Sequence, residues 1–120
     1  MSKLVSKDIL TNFIVTELEL DQEFFTRIQG HLVKHLSEFR EAGGDLKKLG
    51  QLAHKIRAAC HSFGAIVLEA KLSEIEATAR AEKLTLDSEL FNGAVAIIDL
   101  TLQQIDSAAN EIFKKEKKIA

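Results

Sequence analysis

Four stretches of this 120-residue sequence place apolar residues at steps of three and four, and no proline interrupts any of them. Such spacing winds one apolar stripe along an α-helix. A proline inside a stripe would remove a backbone hydrogen bond and break the turn. Phe25, Ile28, Leu32, Leu36 and Phe39 form the first stripe, and Leu46, Leu49, Ala53, Ile56, Cys60 and Phe63 the second. Leu68, Leu72, Ile75 and Ala79 form the third. The fourth runs through Phe91, Val95, Ile98, Leu102, Ile105, Ala109 and Ile112. No segment of useful length alternates with period two. Stripes of this kind bury against one another when short loops join antiparallel helices. The expected fold class is therefore all-α: an antiparallel four-helix bundle with an additional short N-terminal helix, roughly Ser6 to Leu18, that carries Ile9, Leu10, Phe13 and Ile14.

The punctuation between the stripes is helical in type. Asp21 is placed to cap a helix, with Leu20 and Phe25 spaced as a hydrophobic staple. Gly43-Gly44 ends that helix and Asp45 caps the next. Gly64 marks a structural turn, and Thr85 or Asp87 starts the last helix. Lys114, Lys115, Lys117 and Lys118 complement the negative end of that helix. The length supports one domain over residues 1–120, with 1–20 as a helical cap and 21–115 as the bundle. Four stripes that close within one chain predict a monomer. The starting Met1 and the domain-sized length predict a free-standing protein.

Charge and composition narrow the functions. A formal net charge of −2 argues against a nucleic-acid partner, which would call for a strongly basic surface. The single Cys60 cannot close an internal disulfide; it falls on a core stripe and is expected to pack as a small apolar residue. Residues Met1 to Leu10 lack the apolar run of a signal peptide. No apolar run approaches the ~20 residues of a membrane span. These features predict a cytoplasmic protein that engages neither membrane nor nucleic acid.

His54 stands on the wrong face of its helix for a core residue. At about 100° per residue it lies more than a right angle from the apolar stripe, so it points outward. One turn away stand Gly50 and Ala58, together with Gln51 and Arg57. Glycine inside a helix costs about 1 kcal/mol relative to alanine. Open access to the imidazole would account for that cost. A neutral imidazole nitrogen can attack phosphorus, and Arg57 offers a fixed positive charge for the anion that forms. Phosphoryl transfer needs positioning and charge neutralisation, usually with Mg²⁺. This chain has neither a glycine-rich phosphate loop nor an acidic metal pocket, so the nucleophile is here and the catalytic machinery elsewhere.

The run Ala53-His54-Lys55-Ile56-Arg57-Ala58, then Gly64-Ala65, Leu68 and Ile75-Glu76, resembles the signature of histidine-containing phosphotransfer (HPt) domains. The likeness spans roughly Phe24 to Ala109 and runs without a gap from His54 to Glu76. It implies that His54 is the phosphoacceptor and that Arg57, in place of the family's lysine, stabilises phosphate. Ala58 stands where the family usually has glycine. The resemblance also implies partners: response-regulator receiver domains and a hybrid sensor histidine kinase, with Mg²⁺ on the receiver and no cofactor bound by this chain. It implies a phosphoryl carrier with no kinase activity of its own, the alternative being a scaffold that binds a receiver without carrying phosphate. Gly50, Gln51, Lys55, Ala58 and His61 are the expected access and docking residues, and Glu76 and Arg80 looser docking candidates.

His31 and His35 form an i, i+4 pair of the kind that can hold a transition metal. A third ligand is missing from the pattern, no HExxH occurs, and no Glu stands three residues before a His, so no metal site is expected. A metal- or haem-binding bundle is accordingly the weaker alternative. Glu38, Arg40, Lys47 and Glu69 read as a solvated face.

Overall fold

The computed structural model describes residues 3–43, 45–81 and 88–119, and within them the secondary structure is entirely helical. Helix α1 (Lys7–Asn12) opens on Ser6, whose Oγ accepts from Ile9 N at 3.3 Å. It widens into a π-helical turn over Phe13–Glu17, closed by Leu18 N donating to Phe13 O at 2.9 Å. Glu19 and Leu20 then take positive φ of 51° and 62°. A left-handed non-glycine residue costs roughly 1–2 kcal/mol. Burial of Leu18 and the bond from Leu20 N to Ile14 O hold this reversal in place. A plain helix to Leu18 was the sequence expectation, and the wide turn corrects it.

Helix α2 (Gln22–Glu41) starts at Asp21, whose carboxylate accepts from Phe24 N, and ends before Gly43, which takes φ of 42°. Helix α3 (Leu46–Ser62) is capped by Asp45 through Lys48 N at 3.1 Å. Helix α4 covers Ile66–Arg80 and α5 covers Ser88–Ile119. Gly44 and the proposed helix starts Thr85 and Asp87 lie outside the described residues, as do the side chains of Lys117 and Lys118.

The four stripes do face inward. Phe39, Leu49, Ile56, Cys60, Leu68, Leu72, Ile75, Ile98 and Ile105 are all essentially inaccessible to water. Edge-to-face ring pairs join Phe13 to Phe63, Phe25 to Phe63 and Phe25 to Phe113 at 5.4–5.5 Å, tying α1, α2 and α5 to the α3–α4 turn. That turn depends on Gly64, whose φ is 75° and whose place leaves no room for a side chain: a Cβ would lie 2.5 Å from Ser6 O. Ser6 N in turn donates to Gly64 O at 2.7 Å. The N-terminal segment is thereby fastened to the turn. At 1.5 Å per residue α5 runs about 48 Å. It is held by Arg40 to Asp99, Leu4 N to Gln104 and Lys7 to Glu111. No helix among the described residues is long and apolar enough to cross a membrane.

Candidate functional site

Helices α3 and α4 make the most intimate helix pair in the molecule, and small residues set how close they come. Gly50 is buried, and a Cβ built on it would collide with the Cβ of Ala79. The sequence reading assigned Gly50 to keeping the imidazole open. Its missing side chain also lets α4 lie directly against α3, one turn from His54. It also lines an open recess of about 730 Å³ beside that ring, together with Leu46, Gln51, His54, Ala79 and Arg80.

This close approach brings a short carboxylate within reach of the histidine. Glu76 on α4 is one of the few polar residues in the interior, 6% exposed, and its Oε1 lies 2.5 Å from His54 Nδ1. The placement corrects the expectation that Glu76 is a docking residue. It stands buried beneath the ring, at the wall of the recess. Arg57 Nε donates to the same carboxylate at 3.2 Å, and Arg80, one turn along α4, approaches at 3.7 Å. A buried charge survives only when paired and hydrogen-bonded. Glu76 has two hydrogen-bond partners, His54 and Arg57, and a third cation, Arg80, in an ion pair.

Burial pushes the Glu76 carboxyl up, but the bonds from His54 and Arg57 and the charges of Arg57 and Arg80 outweigh it. The carboxyl therefore titrates below the usual carboxylate range. An ionised carboxylate only accepts, so His54 must donate from Nδ1. In the neutral ring that fixes the tautomer, and Nε2 then carries the lone pair. The ring itself is well exposed, at 60% of its side-chain surface. Two guanidinium groups facing one carboxylate leave a local excess of positive charge. Arg57 spends only Nε on Glu76, so its terminal amino groups stay available to an anion arriving at Nε2.

The remaining predicted residues fall into three groups. Gln51, Lys55 and Ala58 are solvent-exposed on the His54 face of α3. Arg80 is exposed and lines the recess while facing Glu76. Gly64 is buried in the turn. His61 is exposed and bonds through Nδ1 to Glu69 at 3.2 Å, so Glu69 is half-buried and engaged where a solvated charge was expected. Arg40 likewise pairs with Asp99 on the surface. His31 is exposed and His35 half-buried, and no cluster of three or more His, Cys, Asp or Glu residues that could hold a metal occurs among the described residues.

The sequence did not single out the His54–Glu76 pair as such. A signal was available: the two residues stand eleven positions on either side of Ala65 at the turn, and helices that double back bring mirror positions together. What the arrangement can do chemically is present an oriented, carboxylate-backed nucleophilic nitrogen with cations beside it. Compared with known families, residues 18–108 match the family model of the Hpt domain. No curated protein and no solved structure matches the chain.

Proposed function

The chain belongs to the Hpt domain family, and from that premise we propose that it is a phosphorelay carrier in which His54 takes a phosphoryl group from a receiver-domain aspartate and passes it to another response regulator. Hpt domains are phosphocarrier modules of phosphorelays and not kinases. The observation that carries the reading for this residue is the bond from His54 Nδ1 to the buried, ionised Glu76, which leaves Nε2 free on the surface.

In the proposed step the Nε2 lone pair attacks the phosphorus of the aspartyl phosphate. The N–P bond forms as the acyl P–O bond breaks, and the electron pair leaves on the aspartate. The ring gains positive charge, which the Glu76 carboxylate offsets through the Nδ1 proton. Arg57 turns its terminal amino groups to the phosphoryl oxygens. Mg²⁺, carried by the receiver, supplies the remaining charge neutralisation. The donor is a hybrid sensor kinase's receiver, docked over Gln51, Lys55, Ala58 and His61 beside the recess at Gly50. The working form is a monomer: one domain over residues 1–120 in which α2 to α5 close as an antiparallel four-helix bundle, at home in the cytoplasm.

Incubation with a phosphorylated receiver domain tests this. The wild-type chain should gain acid-labile phosphate mapped by mass spectrometry to His54, and His54→Gln should reduce receiver-driven transfer to background. Transfer from the receiver to His54→Gln at the wild-type rate would overturn the assignment. Binding of the receiver without transfer to the wild-type chain would favour the scaffold reading.

A further inference from the structure

The cross-helix arrangement at His54 occurs twice. His61 and Glu69 stand four positions on either side of Ala65, as His54 and Glu76 stand eleven. Each histidine lies one heptad from the other on the same face of α3, and each carboxylate one heptad from the other on α4. His61 Nδ1 meets the Glu69 carboxylate at 3.2 Å, and 65% of the histidine side chain is exposed. An ionised Glu69 only accepts, so Nδ1 donates, and in the neutral ring Nε2 carries the lone pair, as at His54. Arg57 lies between the two, three residues after His54 and four before His61, so both are its neighbours on the helix surface. The approach to His61 along α3 is bordered by Ala58, which carries a single methyl.

From this repetition we infer that His61 is a second phosphoryl-accepting nitrogen nucleophile, backed by Glu69 and reactive towards small phosphoramidate or acyl-phosphate donors. With phosphoramidate, Nε2 attacks phosphorus, the N–P bond to the ring forms, and the P–N bond to the leaving ammonia breaks with its electron pair. The Nδ1 proton stays in the bond to Glu69, whose charge offsets the positive ring. The second pair is looser than the first. Glu69 is 27% exposed on its side chain and has no arginine on it, whereas Glu76 is 8% exposed and held by two. His61 therefore reacts more slowly than His54. The inference does not require that a receiver domain be the natural donor at His54.

The chain supplies its own reference in His31, an exposed helical histidine for which no carboxylate partner is found among the described residues. The full chain is treated with phosphoramidate, and phosphate on each histidine is followed over time by mass spectrometry at alkaline pH. Labelling at His61 should be about tenfold faster than at His31, the order that one charge-assisted hydrogen bond supplies. Glu69→Gln should bring His61 down to the rate of His31 while leaving His54 unchanged. Equal rates at His61 and His31 in the wild-type chain, or no loss in Glu69→Gln with circular dichroism unaltered, would overturn the inference. Should His61 label rapidly while the receiver assay leaves His54 unmodified, the reading of His54 fails and this one stands. The opposite pattern fails this one alone.

Discussion

Glu76 is the residue on which the site's chemistry turns, because it is charged, buried and shared by one histidine and two arginines. Glu76→Gln preserves its shape and removes its charge. The amide can donate as well as accept, so the Nδ1–H tautomer of His54 is no longer enforced. Phosphotransfer should fall at least about 10- to 100-fold, the cost of losing the carboxylate behind a metal-bound imidazole. Long-range ¹H–¹⁵N spectra should show one His54 tautomer in the wild type and a mixture in the variant. A variant with wild-type rate and a single tautomer would contradict this role. The same carboxyl sets a pH dependence. Its folded value lies below the ordinary 4.5, so ionised Glu76 contributes stability that is fully present above that pH and is lost as pH falls through the folded value. In urea titrations the stability gap between wild type and Glu76→Gln should shrink below about pH 4.5. A gap constant down to pH 3 would refute the coupling.

At the scale of the helical element, the contact of α3 with α4 rests on Gly50. Alanine there gains helix propensity of about 1 kcal/mol. It also forces its methyl into Ala79, and overpacking a close contact costs about 1–3 kcal/mol. Gly50→Ala should therefore lower the urea midpoint despite the better helix former, and adding Ala79→Gly should recover part of the loss. A higher midpoint for the single variant would show that the helices separate freely.

The helices themselves were legible because their signal is local. Steps of three and four mark each buried stripe, and Asp21, Asp45 and Gly64 do at their ends what their chemistry dictates. The outward direction of His54 followed from the same periodicity. What periodicity cannot carry is the register between two helices. Gly50 looked like an opening and Glu76 like a surface charge, because each takes its role from a residue more than twenty positions away. The π-turn at Phe13–Glu17 was hidden for a related reason: burial of Leu18 overrides a locally helical sequence.

For the molecule as a whole, Cys60 reports on cooperativity. Burial first, and then the charge of Glu69, push its thiol up to about 12, and the side chain is wholly enclosed. Only the thiolate reacts readily. At pH 8 an alkylating reagent should label the native chain at least ~100-fold more slowly than the chain in urea, with a rate that tracks opening of the core. Fast labelling of the native chain would mean that α3 frees its inner face without general unfolding.

The clasp of Ser6 on Gly64 has a consequence for where change can be absorbed. The rings of Phe13, Phe25, Phe63 and Phe113, the tight turn and the N-terminal segment gather at one pole, while His54 lies about 16 Å up the flank at 1.5 Å per residue. The N-terminal clasp and the reactive ring thus occupy different latitudes of one rod. Substitutions at the exposed flank positions Gln51, Lys55 and Ala58 can retune whom the molecule meets without loosening the knot that holds it together.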